Sequence, residues 1–397
     1  MAARRGVGVV ALALLAVGLV AACVVPPAAP TATISSVAVP TAGSVRLVSA
    51  ATGDGAVWLL AQSSSYQTSS SLVTIDGAGT QTVQVVGPPL SQPRVVAKGP
   101  DGLPWVVFDD HVVRVGSTVT TVTTYPSVVS AQGMGAVAAS SRADGSFWIT
   151  TWGGLLLRVV GGTTTVFDAA VDRTILGSIK EGPDGALWFA DPGAHRLART
   201  DGTSVTSFVL PDGWYPGSID WGTDGRLWFT ASGAGCIGRL TTGGSLVSFP
   251  VEATVGGRPF ALTNGPDGQL WFLSSGSGTT RPLARISTGG FIHVVGNVPN
   301  QPEVIAAGSA GTLWTVSRYF DVAGRIDVTN GVVDGGDGLL TTTTSALSSS
   351  VAPLRATSSS VAPPTTYVGP TPTCAAPASG LQLPVTVAPL RVAGSGS

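Results

Sequence analysis

The chain has 397 residues, with 21 Lys and Arg against 22 Asp and Glu and a net charge of −1. Charged residues make up 11% of it, far below the roughly 25% of ordinary globular proteins. With two lysines, Lys98 and Lys180, there is no basic patch to release counterions from a phosphate backbone, and nucleic-acid binding is excluded. The weight of Gly, Pro, Ser, Thr, Val and Ala describes strands and turns instead.

The amino terminus reads apart from the rest. Arg4 and Arg5 precede an apolar stretch, residues 7–21, that is short for a membrane span and has the layout of an export signal. It ends in "LVAAC", residues 19–23, which resembles a bacterial lipoprotein signal, where small residues precede a cysteine that is lipidated and becomes the new first residue. That resemblance implies a signal peptide over 1–22, lipidation at Cys23, a linker over 23–32, and a protein held through its lipid to the outer face of the cytoplasmic membrane or cell envelope. The alternative is an ordinary secretory signal in which Cys23 is incidental.

Downstream, seven units align on a tryptophan that follows a Gly-containing turn: "GDGAVWLLA" (Trp58), "GPDGLPWVVF" (Trp105), "RADGSFWITT" (Trp148), "GPDGALWFAD" (Trp188), "GTDGRLWFTA" (Trp228), "GPDGQLWFLS" (Trp271) and "GSAGTLWTVS" (Trp314). The steps between them are 47, 43, 40, 40, 43 and 43 residues, the period of four-stranded propeller blades. The spacing predicts an all-β, seven-bladed β-propeller over 33–336 with four-stranded blades. Asp-Gly between two apolar runs marks a hairpin, and the tryptophan on the second strand is expected to pack between neighbouring blades. Arg114, Arg158, Arg199, Arg239, Arg285 and Arg325 recur on the third strand, and Thr74 stands there in the first unit. Their regularity assigns them to structural ion pairs or loop caps. The segment 34–44 looks like an outer strand with no blade of its own, so it should close the ring on the last blade. After residue 336 the composition turns to Ser, Thr, Pro and Ala, which bury too little to offset ordering entropy; residues 337–397 are read as a low-complexity, mostly disordered C-terminal tail, with 381–392 a strand-like exception.

The combination G-P-D-G-x-L-W-F, a short polar loop and "IGRL" resembles the repeat of the virginiamycin B lyase family over about residues 33–330, most specifically in the fourth to sixth units. The resemblance implies a seven-bladed propeller and, for its namesake, opening of the streptogramin B ester ring by magnesium-assisted elimination. Such chemistry needs carboxylate oxygens for Mg2+ and a base at the proton removed. The position after W-F-x holds Ala61, Phe108, Thr151, Asp191, Ala231, Ser274 and Ser317, of which Asp191 alone is acidic. The starts of innermost strands hold Arg94, Gly217, Phe260 and Glu303, with no histidine.

Asp191 and His195 on one loop, with Glu303 and Arg94 on blades seven and two, are therefore the ligand-binding candidates, and Asp191 and His195 the candidate catalytic pair. Asp109 and Asp110, beside His111 in "DDHVV", join Asp191 as metal candidates; His293 falls on an outer strand. The opposing reading makes Asp191 a loop cap, His195 solvated, and Arg94 and Glu303 bridged. Cys236 and Cys374 are an even pair once Cys23 is set aside, and a disulfide between them would draw the tail against the ligand face. The function expected is binding of a small polar ligand, a glycan or an envelope protein by a monomeric, membrane-anchored lipoprotein. The alternatives are a divergent magnesium-dependent C–O lyase acting on a cyclic ester or glycan, with Mg2+ as its cofactor, and a structural or adhesive surface module.

Overall fold

A computed structural model of the chain describes residues 31–39, 45–53, 55–63, 69–89, 91–125, 135–169, 175–320, 322–329, 374 and 380–393. The expected signal segment, Cys23 and most of the tail lie outside the described residues.

Seven antiparallel sheets follow one another along the chain. Blade one spans 45–89, blade two 93–124, blade three 136–168, blade four 179–209, blade five 216–250, blade six 259–298 and blade seven 304–329. Within each, strands pair in chain order. Blade seven takes its fourth strand from the other end of the chain: Thr31–Ala38 runs antiparallel to Val322–Thr329, from Thr31 opposite Thr329 to Ala38 opposite Val322. The ring is thus closed by both ends of the propeller sequence, and one sheet edge disappears. The strand starts two residues ahead of the expected boundary at 33, because Ala32 as well as Ile34 is buried in the contact between blades six and seven.

The repeated turn has a chemical reason beyond the hairpin. In blade five the Asp224 carboxylate accepts the backbone N–H of Arg226 at 3.2 Å and the indole N–H of Trp228 at 3.1 Å. Arg239, opposite Trp228 in the sheet, stacks 5.3 Å above the indole ring. Blade four repeats this with Asp184, Trp188 and Arg199, and blade six with Asp267, Trp271 and Arg285, the last an ion pair at 3.0 Å with both side chains buried. The two glycines of G-P-D-G serve different ends: Gly225 takes φ +68°, a left-handed geometry that favours glycine, whereas a Cβ on Gly265 would overlap the Trp271 ring. The tryptophan then reaches into the next blade. Trp228 packs with Leu262, Phe272 and Ala284 of blade six, and Trp314 with Leu47, Leu59 and Ala61 of blade one. Seven such clusters, one at each junction, carry the ring; burying each indole contributes about 4–6 kcal/mol before ordering entropy is subtracted.

Within the tail, residues 380–393 add a fifth strand to three blades: Leu381–Gln382 on blade five, Val385–Pro389 on blade four and Arg391–Val392 on blade three. Leu383 is buried between blades four and five. Pro384 and Pro389 mark the crossings, and backbone bonds such as Val209 N–H to Pro384 O at 3.2 Å and Leu390 N–H to Thr203 O at 2.8 Å fasten the segment. A disulfide joins Cys236 to Cys374. Its tail end packs with the cluster of blades four and five, and Cys236 opens the third strand of blade five, directly after the loop that follows the second.

Candidate functional site

The first strands of all seven blades line a central cavity of about 750 Å³. Because each first strand pairs antiparallel with the second, its start meets the second strand's end, as Pro93 meets Phe108 and Pro259 meets Ser274. One face of the ring therefore gathers strand starts and the loops between second and third strands, and the other gathers the Asp-Gly turns.

The structure separates most of the residues singled out on the loop face. Asp191 is fully buried within blade four, its carboxylate 2.8 Å from Arg196 Nε and 3.2 Å from the Ala194 N–H. Arg196 continues to Ser207 Oγ and the Ala169 carbonyl. His195 adopts φ +48° and packs edge-on against Tyr215, with ring centroids 4.7 Å apart, away from the cavity wall. Asp110 holds His111, whose ring stacks on Phe108. Asp109 takes both Nε and Nη2 of Arg94 at 2.8 Å, a bidentate pair that raises the Arg94 pKa. Beside it the Tyr125 hydroxyl is buried without a hydrogen-bond partner among the described residues, and burial, with Asp109 and Asp110 nearby, pushes its pKa up. Glu303 faces Arg318 at 3.1 Å.

Between the Arg94 and Glu303 pairs, on blade one, stands a residue that motif reading missed. Arg46 lines the cavity; its Nε donates to Gln62 Oε1 at 2.9 Å, and Gln62 in turn donates to Gln92 Oε1 at 2.5 Å. A signal existed, since "VRLVSA" at 45–50 aligns with "PRVVAK" at 93–98 and puts Arg46 on Arg94; a search tied to a preceding proline passes over it. Arg318 and Trp152 also line the cavity, each four residues after its unit's tryptophan, and Trp152 is 58% exposed. At the turn face the lining includes Lys98 and Lys180, with Lys180 Nζ 3.4 Å from Asp220, which also accepts the Asn264 N–H at 3.0 Å.

The family model of the virginiamycin B lyases matches residues 122–335. The chain belongs to that family. Selenomethionine-substituted virginiamycin B lyase from Staphylococcus aureus superimposes with a TM-score of 0.63 at 21% identity, over 75% of this chain and 100% of that one. A catalytically inactive variant of the S. aureus enzyme, solved with quinupristin, gives 0.64 at 21% identity over 75% and 100%. The WD40 propeller of Doa1 gives 0.54 at 12% identity over 74% and 96%. At these identities the likeness shows the fold. No curated protein matches the sequence.

The virginiamycin B lyase chemistry implies Mg2+, and the residues of this chain do not fit it. Mg2+ takes about six oxygen ligands, usually one or two carboxylates with the remainder supplied by water or substrate, and each such carboxylate must have an oxygen free of other cations. Among the described residues no group of three or more His, Cys, Asp and Glu is placed to hold a metal. On the loop face Asp109, Asp191 and Glu303 each face an arginine, at 2.8, 2.8 and 3.1 Å.

Proposed function

We propose that this family member is a binding propeller, exported and lipid-anchored at Cys23, that takes a small ligand in its central funnel at the cell envelope. The observation that carries the reading is the pairing of Asp109, Asp191 and Glu303 with arginines beside an open cavity of about 750 Å³. A carboxylate ion-paired to a guanidinium is a weakened base and metal ligand, most of all Asp109, both of whose oxygens Arg94 engages. Binding asks for a lined cavity, which these residues supply; elimination asks in addition for a base aimed at one proton.

The test is incubation of the mature full-length chain with a streptogramin B in millimolar magnesium. Elimination leaves the mass unchanged, so chromatographic retention and fragmentation are read. The antibiotic is expected to stay intact. A ring-opened product that disappears with EDTA would sink the binding reading in favour of a divergent lyase, the second reading, which family membership favours. Anchoring is tested separately by incorporation of labelled fatty acid, expected in the wild type and lost in Cys23→Ala.

A further inference from the structure

The cavity lining is charged out of proportion to the chain. Acidic and basic residues nearly balance overall, 22 against 21, yet the cavity is lined by Arg46, Arg94, Lys98, Lys180 and Arg318 with Asp220 as its acidic member. Three of these cations face carboxylates, Arg94 with Asp109, Arg318 with Glu303 and Lys180 with Asp220. The charges are also placed unevenly. Arg318, Arg46 and Arg94 sit on blades seven, one and two, and Trp152 follows on blade three, so one arc of the loop-face mouth carries them all. Across the cavity, blades four to six contribute Ser178, Ser218 and Leu262 to the wall.

Arg46 differs from its neighbours in its partners. Asp109 neutralises Arg94 and Glu303 neutralises Arg318, but among the described residues Arg46 is held by an amide relay, Gln62 to Gln92, that positions the guanidinium without cancelling its charge. Its Nη1 and Nη2 have no acceptor among those residues. A guanidinium fixed through Nε, with its terminal edge unengaged in an accessible cavity, matches the two oxygens of a planar oxyanion. Trp152 supplies a flat apolar face on the same arc, suited to a ring.

We infer that the ligand of this funnel is a ring-bearing carboxylate of the sugar-acid class, its carboxylate on Arg46 and its ring against Trp152. The inference rests on the binding reading above and adds the chemistry of the ligand.

The test is a titration of the full mature chain with glucuronate, glucose and inorganic phosphate, followed through the NMR signal of the Trp152 indole N–H and repeated from low to high sodium chloride. Glucuronate is expected to bind at least about tenfold more tightly than either of the others, as a charge-assisted bidentate contact contributes that much, and to weaken with salt. Arg46→Gln should lose about tenfold for glucuronate and flatten the salt dependence; Arg46→Lys, which keeps the charge without the fork, should fall between. Near-UV circular dichroism of the buried tryptophans confirms that both variants fold. Equal binding of glucose and glucuronate would overturn the carboxylate assignment while leaving the binding reading in place. Phosphate binding as tightly as glucuronate would overturn the ring contact, and a silent Trp152 signal with all three probes would overturn the inference outright. Arg46→Gln with unchanged affinity would remove Arg46 from the site.

Discussion

Blades four to six and blades seven and one solve the same packing problem with different chemistry. In the first group each tryptophan is tied by its N–H to the turn aspartate and roofed by the third-strand arginine. In blade seven the Trp314 N–H goes to Thr312 Oγ1 and Arg325 turns to Asp327, and in blade one Thr74 stands opposite Trp58. The mouth of the cavity shows the reverse distribution. Four residues after the tryptophan, blades four to six carry Pro192, Ser232 and Ser275, and blades seven and one carry Arg318 and Gln62. A side chain repeated in every blade builds a ring with no direction; a site that orients one ligand needs the blades to differ.

Breaking the framework should cost most. Trp271→Ala, at a fully buried position between blades six and seven, is expected to destabilise the protein by about 3–5 kcal/mol in denaturant titration. Arg46→Ala on the mouth should leave the midpoint within about 0.5 kcal/mol of wild type. An equal loss from both would erase the distinction between framework and mouth.

Removing one partner from each kind of ion pair sharpens it. Asp267→Asn strands the Arg285 guanidinium, whose side chain is 5% exposed, and should cost about 3 kcal/mol. Asp109→Asn beside Arg94, a pair whose side chains are 40% and 38% exposed, should cost at most about 1 kcal/mol. The smallest effect is expected at Asp201, on the turn of blade four. Backbone N–H groups of Ser204 and Thr203 lower its pKa to about 2. A carboxylate stabilised in the folded state adds stability above its unfolded pKa of about 4 and loses it as pH falls through the folded value. The difference in unfolding free energy between wild type and Asp201→Asn should therefore be fully present at about pH 5 and shrink between about pH 4 and 2.

The same contrast explains what could be read in the sequence. Ring, blade number and closure were legible because they rest on period, and period survives in residues that repeat: Trp58 to Trp314 and the Asp-Gly turns. The site was poorly legible because it is the part that does not repeat. Asp191 stood out as the lone acid after W-F-x, yet Arg196, five residues on, engages it in the interior, a pairing that antiparallel register decides. Arg46 drew no notice because its meaning comes from facing the cavity between two neutralised arginines, a relation among three blades. The tail strands were visible as an alternating run at 381–392, but which edges they cover depends on main-chain bonds that carry no side-chain signature.

That tail runs against the order of the chain, reaching blade five first and blade three last. Tension applied at the carboxyl terminus would therefore load its bonds singly. Blade three would let go first, then blade four, then blade five, and unzipping would halt at the covalent link between residues 236 and 374. Each stage bares one outer edge while the seven blades stay assembled, so an unfolding machine that grips this end meets a sequence of small yields before it meets the ring.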